Sequence, residues 1–443
     1  MATLARRLGA FDVLLIVIGS VIGSGIFRTP SVVAQRVHSP ALMLGAWILG
    51  GVIALFGACV LGELAARRPE GCGAYAYLRD AFHPLIAFVF GWTALLVALS
   101  GGIAAAAVLF AGYFEPLTGL AVEPTVLAVI AIVILTVINF FGVSTGSGVQ
   151  NIITLLKIVA ISAIIVAGLS LHPVSIARVA PSLNVRPDTL ADFGVAMIPV
   201  LFAYNGAVVA TFMTTETKSA GRAFPAGLWG GIFVVTVLYL LVNIACVRVL
   251  GMSGLAKTAT PASDILRIAT GPFGERLVAL AIALSTLGFI SNRILTGPRL
   301  YQAMAHDGLF FRWVAHISPT TRVPIVAIAL QGLFAIAIAV SGTYDQILNY
   351  VVSISYVFIG LLAVAVFVIR AKDRSSGIST SRQFRVPFHP VSTFLVAVVS
   401  WAVAADTYVK FPRDELIGLA IVFSAIPVYL IWIRRAAPSI SRP

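Results

Sequence analysis

The chain has 443 residues, of which 59% are hydrophobic and only 11% charged, with a mean hydropathy of +1.01. Soluble globular domains carry roughly 25% charged residues, so a water-soluble fold is excluded. The net charge of +13, from 30 Lys+Arg against 17 Asp+Glu, comes without a dense basic run or a polar domain to meet nucleic acid; its expected partner is the cytoplasmic lipid surface.

Transmembrane barrels alternate apolar and polar positions over segments of roughly ten residues, whereas runs such as Ala41 to Leu61 exceed the ~20 residues of a membrane-spanning helix. The chain therefore reads as an all-α polytopic membrane protein. In chain order the apolar stretches of spanning length are twelve: 10–35, 41–66, 83–112, 124–141, 149–170, 192–216, 225–249, 274–305, 323–341, 345–370, 389–409 and 414–434. Turn and breaker residues separate them, among them Ser39-Pro40, His83-Pro84, Glu123-Pro124, Gly271-Pro272 and Phe411-Pro412. The longest polar connections fall near 172–191, 250–273 and 371–388, and nothing marks a separate soluble domain, so 1–443 is read as one transmembrane unit.

Arg6 and Arg7 precede the first stretch as in a signal peptide, but no Ala-x-Ala site closes it, and it reads as a retained helix. With the N-terminus inside, the cytoplasmic segments hold 18 Lys/Arg and the outer ones 10, which places both termini in the cytoplasm. Lys157 and Arg293 are left over within helices. Cys59, Cys72 and Cys246 are scattered without metal spacing and read as small packing residues. The six histidines lie near helix ends, so no metal and no cofactor is expected.

Two spans are interrupted. Gly23-Ser24-Gly25 falls inside the first stretch, where freed backbone groups need a polar partner that lipid cannot supply. Amides at the start of the second half-helix would favour an anion such as a carboxylate; close helix packing through small residues is the alternative. The second interruption, Phe202-Ala203-Tyr204-Asn205-Gly206-Ala207 after Pro199, lies in the sixth stretch, five helices later. Broken segments at corresponding places in two halves are the pattern of inverted-repeat secondary transporters. The repeats would be 10–170 and 192–370, with 389–434 appended.

These residues resemble the amino acid-polyamine-organocation (APC) superfamily, most closely the bacterial members of its L-amino acid transporter family. The matches are Ile22-Gly23-Ser24-Gly25-Ile26-Phe27; Glu63 with Pro69-Glu70-Gly71-Cys72-Gly73-Ala74-Tyr75-Ala76-Tyr77-Leu78; Phe202-Ala203-Tyr204-x-Gly206 with Glu216-Thr217-Lys218 and Arg222-x-x-Pro225; and Thr296-Gly297-Pro298-Arg299 through Asp307-Gly308-Leu309-Phe310. The resemblance implies a twelve-helix, five-plus-five inverted repeat (the LeuT-type fold) with helices 1 and 6 broken, moving free amino acids by alternating access in a bacterial inner membrane. It implies an α-carboxylate site on the amides of Gly23, Ser24 and Gly25, and an α-ammonium site on carbonyls near Val21, Ile22, Phe202, Ala203 and Tyr204, with Asn205 and Gly206 completing the second break. Phe202 becomes an aromatic gate. The family's acidic pair after helix six is here Thr215-Glu216, and its Asn-Pro is Ser219-Ala220, departures that bear on gating. Animal members carry a cysteine after helix three that links a glycoprotein; residues 113–123 hold none, so no disulfide-linked heavy subunit is expected.

Lys157 sits among Leu155, Leu156, Ile158 and Val159, where an ammonium costs roughly 2.5–3.5 kcal/mol on insertion scales. The resemblance assigns it the place that a sodium ion takes in coupled relatives, near the Gly23 break; snorkelling to the surface is the alternative. A lysine that cycles its proton would make a proton-coupled permease, and one that keeps it an exchanger or facilitator. For Arg293 two readings stand: a side-chain pocket residue binding a substrate carboxylate, or a structural ion pair or cytoplasm-facing arginine, favoured by Arg299 six residues on. Ala207 leaves space near the substrate, and without Arg293 in the pocket the cargo would be neutral amino acids. A cationic amino acid or polyamine antiporter would want a pocket acid, and Asp12, Glu63 and Glu216 all group at the cytoplasmic side. No nucleophile-base set, metal pair or P-loop points to an enzyme, and a channel leaves the paired breaks unexplained.

Overall fold

The computed structural model describes residues 9–23, 25–69, 72–119, 122–141, 146–171, 189–218, 220–321, 323–342, 344–377 and 383–436. All regular structure among them is helical. The first span is two helices, α1 (Ala10–Val21) and α2 (Gly25–Arg36), bent by 46°. There follow α3 (Pro40–Arg67), a short helix α4 (Gly73–Ala81), and α5 (Pro84–Thr93), which passes through a π-helical turn at Ala94–Ala98 into α6 (Leu99–Thr118). Then come α7 (Pro124–Phe140), α8 (Gly146–Ser170) and the second interrupted span, α9 (Thr189–Tyr204) with α10 (Ala207–Ala210) and a 3₁₀ turn Thr211–Glu216. The remainder is α11 (Ala220–Lys257), α12 (Pro261–Thr296), α13 (Pro298–His306), α14 (Ile325–Ser341), α15 (Tyr344–Ser375), α16 (Val391–Lys410) and α17 (Pro412–Ala436).

Proline opens α3, α5, α7, α12, α13 and α17. Its fixed φ suits a first helical turn, and the amide it lacks has no helical partner there anyway. Among the described residues eight helices are long and apolar enough to cross a membrane, nine with the bent α1–α2 pair. Three shorter apolar helices, Pro124–Phe140, Thr154–Ser170 and Ile325–Ser341, fall on three further expected stretches. The connection expected near 250–273 is mostly helical, apart from residues 258–260. α11 and α12 continue through it with left-handed breaks at Gly251 (φ 66°) and Gly271 (φ 73°), so Gly271-Pro272 is a kink and not a loop. The connection expected near 172–191 falls largely on 172–188, outside the described residues.

The outside of the bundle is apolar: Ile130, Ile134 and Ile138, one side of α7, are each about half exposed, as a lipid-facing helix requires. Inside, α3 and α1 pack on α11, and α6 and α8 pack on α12. The two breaks meet at the centre. A Cβ on Gly206 would lie 2.4 Å from the Ser20 carbonyl oxygen and 2.6 Å from Val21 Cα, and one on Gly25 would lie 2.6 Å from Ala203 Cα. Glycine at these two places lets unwound backbone from both spans touch.

One end of the bundle is tied by ions. Glu63, fully buried, accepts from Arg67 Nε (2.8 Å), from both Nε and Nη2 of Arg370 (2.6 and 2.7 Å) and from the Val386 amide (2.7 Å). Arg67 and Arg68 both reach Asp373 at 2.7 Å. Arg79 and Tyr75 of α4 hold Asp307 after α13. Another buried acid belongs to the opposite end: Glu415, in the first turn of α17, accepts from Ser353. Seventeen residues of α15 separate Ser353 from Arg370, about 26 Å of helix at 1.5 Å per residue. Acids near helices thus occupy both ends, contrary to the single grouping expected from Asp12, Glu63 and Glu216.

Candidate functional site

Between the breaks lies a partly open cavity, about 810 Å³ when the solvent space at its mouth is included. Ser20, Val21, Gly23 and Gly25 form its wall on the first break. Phe202, Ala203 and Asn205 form the wall on the second, and Thr93 at the end of α5 and Ala94 of the π-helical turn also line it. π-turns recur at functional sites because the extra residue re-aims neighbouring side chains and carbonyls.

The first-turn amides of any helix lack intrahelical acceptors, and those of α2 begin at Gly25, on the cavity wall. Ser24, the middle residue of the expected anion site, lies outside the described residues. The carbonyls expected to hold an ammonium already have protein donors. Val21 accepts from the Gly23 amide (2.8 Å) and from Tyr239 Oη (3.1 Å). Ala203 accepts from the same phenol at 3.2 Å, Phe202 from the Asn205 amide (3.0 Å), and Tyr204 from the Gly206 amide (2.8 Å). A carbonyl offers two lone pairs, so in this conformation Val21 is saturated while Phe202, Ala203 and Tyr204 retain one each.

Lys157 is 0% exposed. Its Nζ donates to the carbonyls of Gly19 (3.0 Å), in the last turn of α1, and Ile22 (2.9 Å), the residue just after it. It does not snorkel. The Ile22 carbonyl is thereby turned to Lys157, and Ile22 is absent from the cavity wall, as are Tyr204 and Gly206. The Tyr204 phenol points instead at the Trp47 carbonyl (3.3 Å). Phe202 packs edge-on to Tyr344 at 6.4 Å between ring centroids. Ala207 borders a second, smaller cavity with Gly57 and Tyr356 and not the main one, so the space it leaves lies beside the expected pocket.

Arg293 is on the wall of the main cavity and 6% exposed. Its Nη2 donates to the Asn205 carbonyl at 3.2 Å, and its guanidinium lies 4.8 Å from the centre of the Phe289 ring. Among the described residues it has no acidic partner, so neither the ion pair nor the surface-facing reading describes its position.

Two residues were missed from sequence. Tyr239, fully buried in α11, clasps both breaks through one hydroxyl. The available signal was a lone phenol in the middle of an apolar span, since a buried O–H needs an acceptor. Phe289 stands against Gly23, whose Cβ would come within 2.7 Å of its ring, and lies beside both Lys157 (5.6 Å) and Arg293. No sequence signal separated it from ordinary apolar packing.

A profile of known families matches residues 8–432, and the family it describes is Amino acid permease. The chain belongs to the amino acid permease family, within the APC superfamily. This permease is 27% identical over 432 residues to the serine/threonine exchanger SteT of Bacillus subtilis, covering 96% of each chain. It is 28% identical to the rat b(0,+)-type amino acid transporter 1, across 100% of this chain and 91% of the relative. It is also 29% identical to the mouse large neutral amino acids transporter small subunit 2, across 97% and 81%. The family and these relatives are transporters, not enzymes, and the permease is a multi-pass membrane protein.

Proposed function

We propose that this permease is a sodium-independent amino acid exchanger or proton-coupled carrier working by alternating access. In this reading the three shorter apolar helices also span, making twelve, and the spans form inverted repeats at 10–170 and 192–370 with 389–434 appended. The close packing of α3 on α11, the second and seventh spans, supports that pairing. Both termini lie in the cytoplasm of a bacterial inner membrane, and no disulfide-linked subunit is needed.

The substrate carboxylate sits on the amides at the start of α2, at Gly23, Ser24 and Gly25. The ammonium takes the free lone pairs of Phe202 and Ala203 and, as the breaks re-form during the cycle, those of Tyr204, Val21 and Ile22. Phe202 closes over the substrate against Tyr344. The observation that carries the reading is the Lys157 ammonium on the Gly19 and Ile22 carbonyls. A tethered cation there stabilises the broken end of α1, where a half-helix C-terminus presents negative dipole. It does so without a soluble ion.

Among the described residues no acid lines the cavity, which argues against a cationic cargo. The test is uptake by the purified protein in liposomes, with and without sodium and pH gradients, alongside counterflow. Trans-stimulated, sodium-independent uptake is expected. Sodium-dependent uptake would overturn the lysine's role, and uptake without trans-stimulation would favour a channel.

A further inference from the structure

Resting on the transport reading above, the cavity carries a statement about its cargo. An arginine has five N–H donors; in Arg293 only the bond from Nη2 to the Asn205 carbonyl is made within the protein among the described residues. Its Nε is enclosed without any acceptor. Lys157 lies on the same Phe289 ring. Arg293 is thus a buried cation on a wall that contains no Asp or Glu among the described residues, with Lys157 behind the same ring and off that wall.

Burying a guanidinium with most of its donors empty is costly, and such a group is retained where something completes it. The cavity offers that room. The amides at the start of α2 lie on the first break, whereas Arg293 anchors on the second, one helical turn from Phe289. An α-carboxylate seated on the first break leaves Arg293 free for a different group. We propose that the permease prefers amino acids with an acidic side chain, aspartate or glutamate, whose second carboxylate is bound by the Nη atoms of Arg293. A planar fork matched to a carboxylate is the geometry in which arginine binds most strongly. A neutral amino acid leaves the Arg293 guanidinium uncompensated, whereas an acidic one neutralises it.

The experiment is counterflow into liposomes preloaded with a mixture of the twenty amino acids, with tritiated L-glutamate and tritiated L-serine as separate tracers. It is run on the wild type, Arg293→Gln and Arg293→Lys. The wild type is expected to exchange glutamate at least tenfold faster than serine. In Arg293→Gln the glutamate-to-serine ratio falls at least tenfold. Arg293→Lys, which keeps the charge and loses the fork, falls between. A thermal melt of each detergent-purified variant reports folding, and wild-type competition by aspartate and glutamate against the serine tracer stands without any variant. Exchange of serine with no competition from acidic amino acids would overturn the cargo assignment and leave the transport reading intact. So would an equal loss for both tracers in Arg293→Gln, which would make Arg293 a ligand of the common carboxylate. If no amino acid exchanges, the transport reading fails with it.

Discussion

Replacing Lys157 by methionine removes an ammonium while keeping most of the side-chain length. The two bonds it makes, 3.0 Å to Gly19 and 2.9 Å to Ile22, are charge-assisted, and each such bond is worth about 1.5–3 kcal/mol. Both are buried, so nothing else reaches the freed carbonyls, and the loss is about 3–6 kcal/mol of support for the broken end of α1. Part of this offsets the strain of holding a half-helix open; the part expressed in the substrate-bound form lowers affinity. With 1.4 kcal/mol per factor of ten, even half of the lower bound weakens binding about tenfold. Counterflow in liposomes gives the apparent affinity, and a melt in detergent gives the structural share. Lys157→Ala provides a complement, because it vacates the volume that n-propylammonium fills, and added propylamine should restore part of the exchange. Lys157→Met exchanging at the wild-type rate and affinity would refute the reasoning, since the two carbonyls would then not need a cation.

Tyr239→Phe deletes the one hydroxyl whose proton is shared between the Val21 and Ala203 carbonyls; one neutral bond at about 0.5–1.5 kcal/mol predicts a roughly two- to tenfold rise in apparent KM with a folded protein, read by counterflow and gel filtration. Gly206→Ala forces a Cβ to 2.4 Å from the Ser20 carbonyl oxygen, so the breaks separate and exchange is lost with about 1–3 kcal/mol of stability, whereas Gly112→Ala, with open space around it, should melt at or slightly above the wild-type temperature. Glu63→Ala strips a fully buried carboxylate from Arg67 and Arg370 and is expected to cost about 3–5 kcal/mol, visible as a large drop in melting temperature. Outside the spans, burial and the nearby Arg370 hold His389 below its ordinary value of 6.5. The folded chain thus binds that proton more weakly than the unfolded one, so its contribution to stability is complete above pH 6.5 and falls as the pH drops below it. His389→Phe should flatten that part of the melting-temperature profile, and an unchanged profile would refute the assignment.

Much was legible in the sequence because bilayer physics is one-dimensional. A run of apolar residues must be a helix, and proline or glycine must mark where it ends, so the stretches and most helix starts coincide with α3, α5, α7 and α17. The interruptions were legible for the same reason: glycine and polar residues have no business in a spanning helix unless backbone groups find a use. Lys157 and Arg293 stood out as charges that lipid does not tolerate. What the pattern could not carry was the direction in which such groups point. Arg293, six residues before Arg299, was equally compatible with an ion pair, a surface or a cavity, and only the packing of α12 between α6 and α8 put it on the cavity wall. Tyr239 and Phe289 have no sequence signature apart from core, since their roles come from backbone of other helices brought within reach. Composition and periodicity by themselves determined that this is a helical membrane protein with two broken spans and two stray cations. The tertiary structure decided that both breaks and Arg293 line one cavity, with Lys157 and Tyr239 bound to the breaks behind it, because hydrogen bonds and cavities depend on distances between segments far apart in the chain, which no local rule encodes.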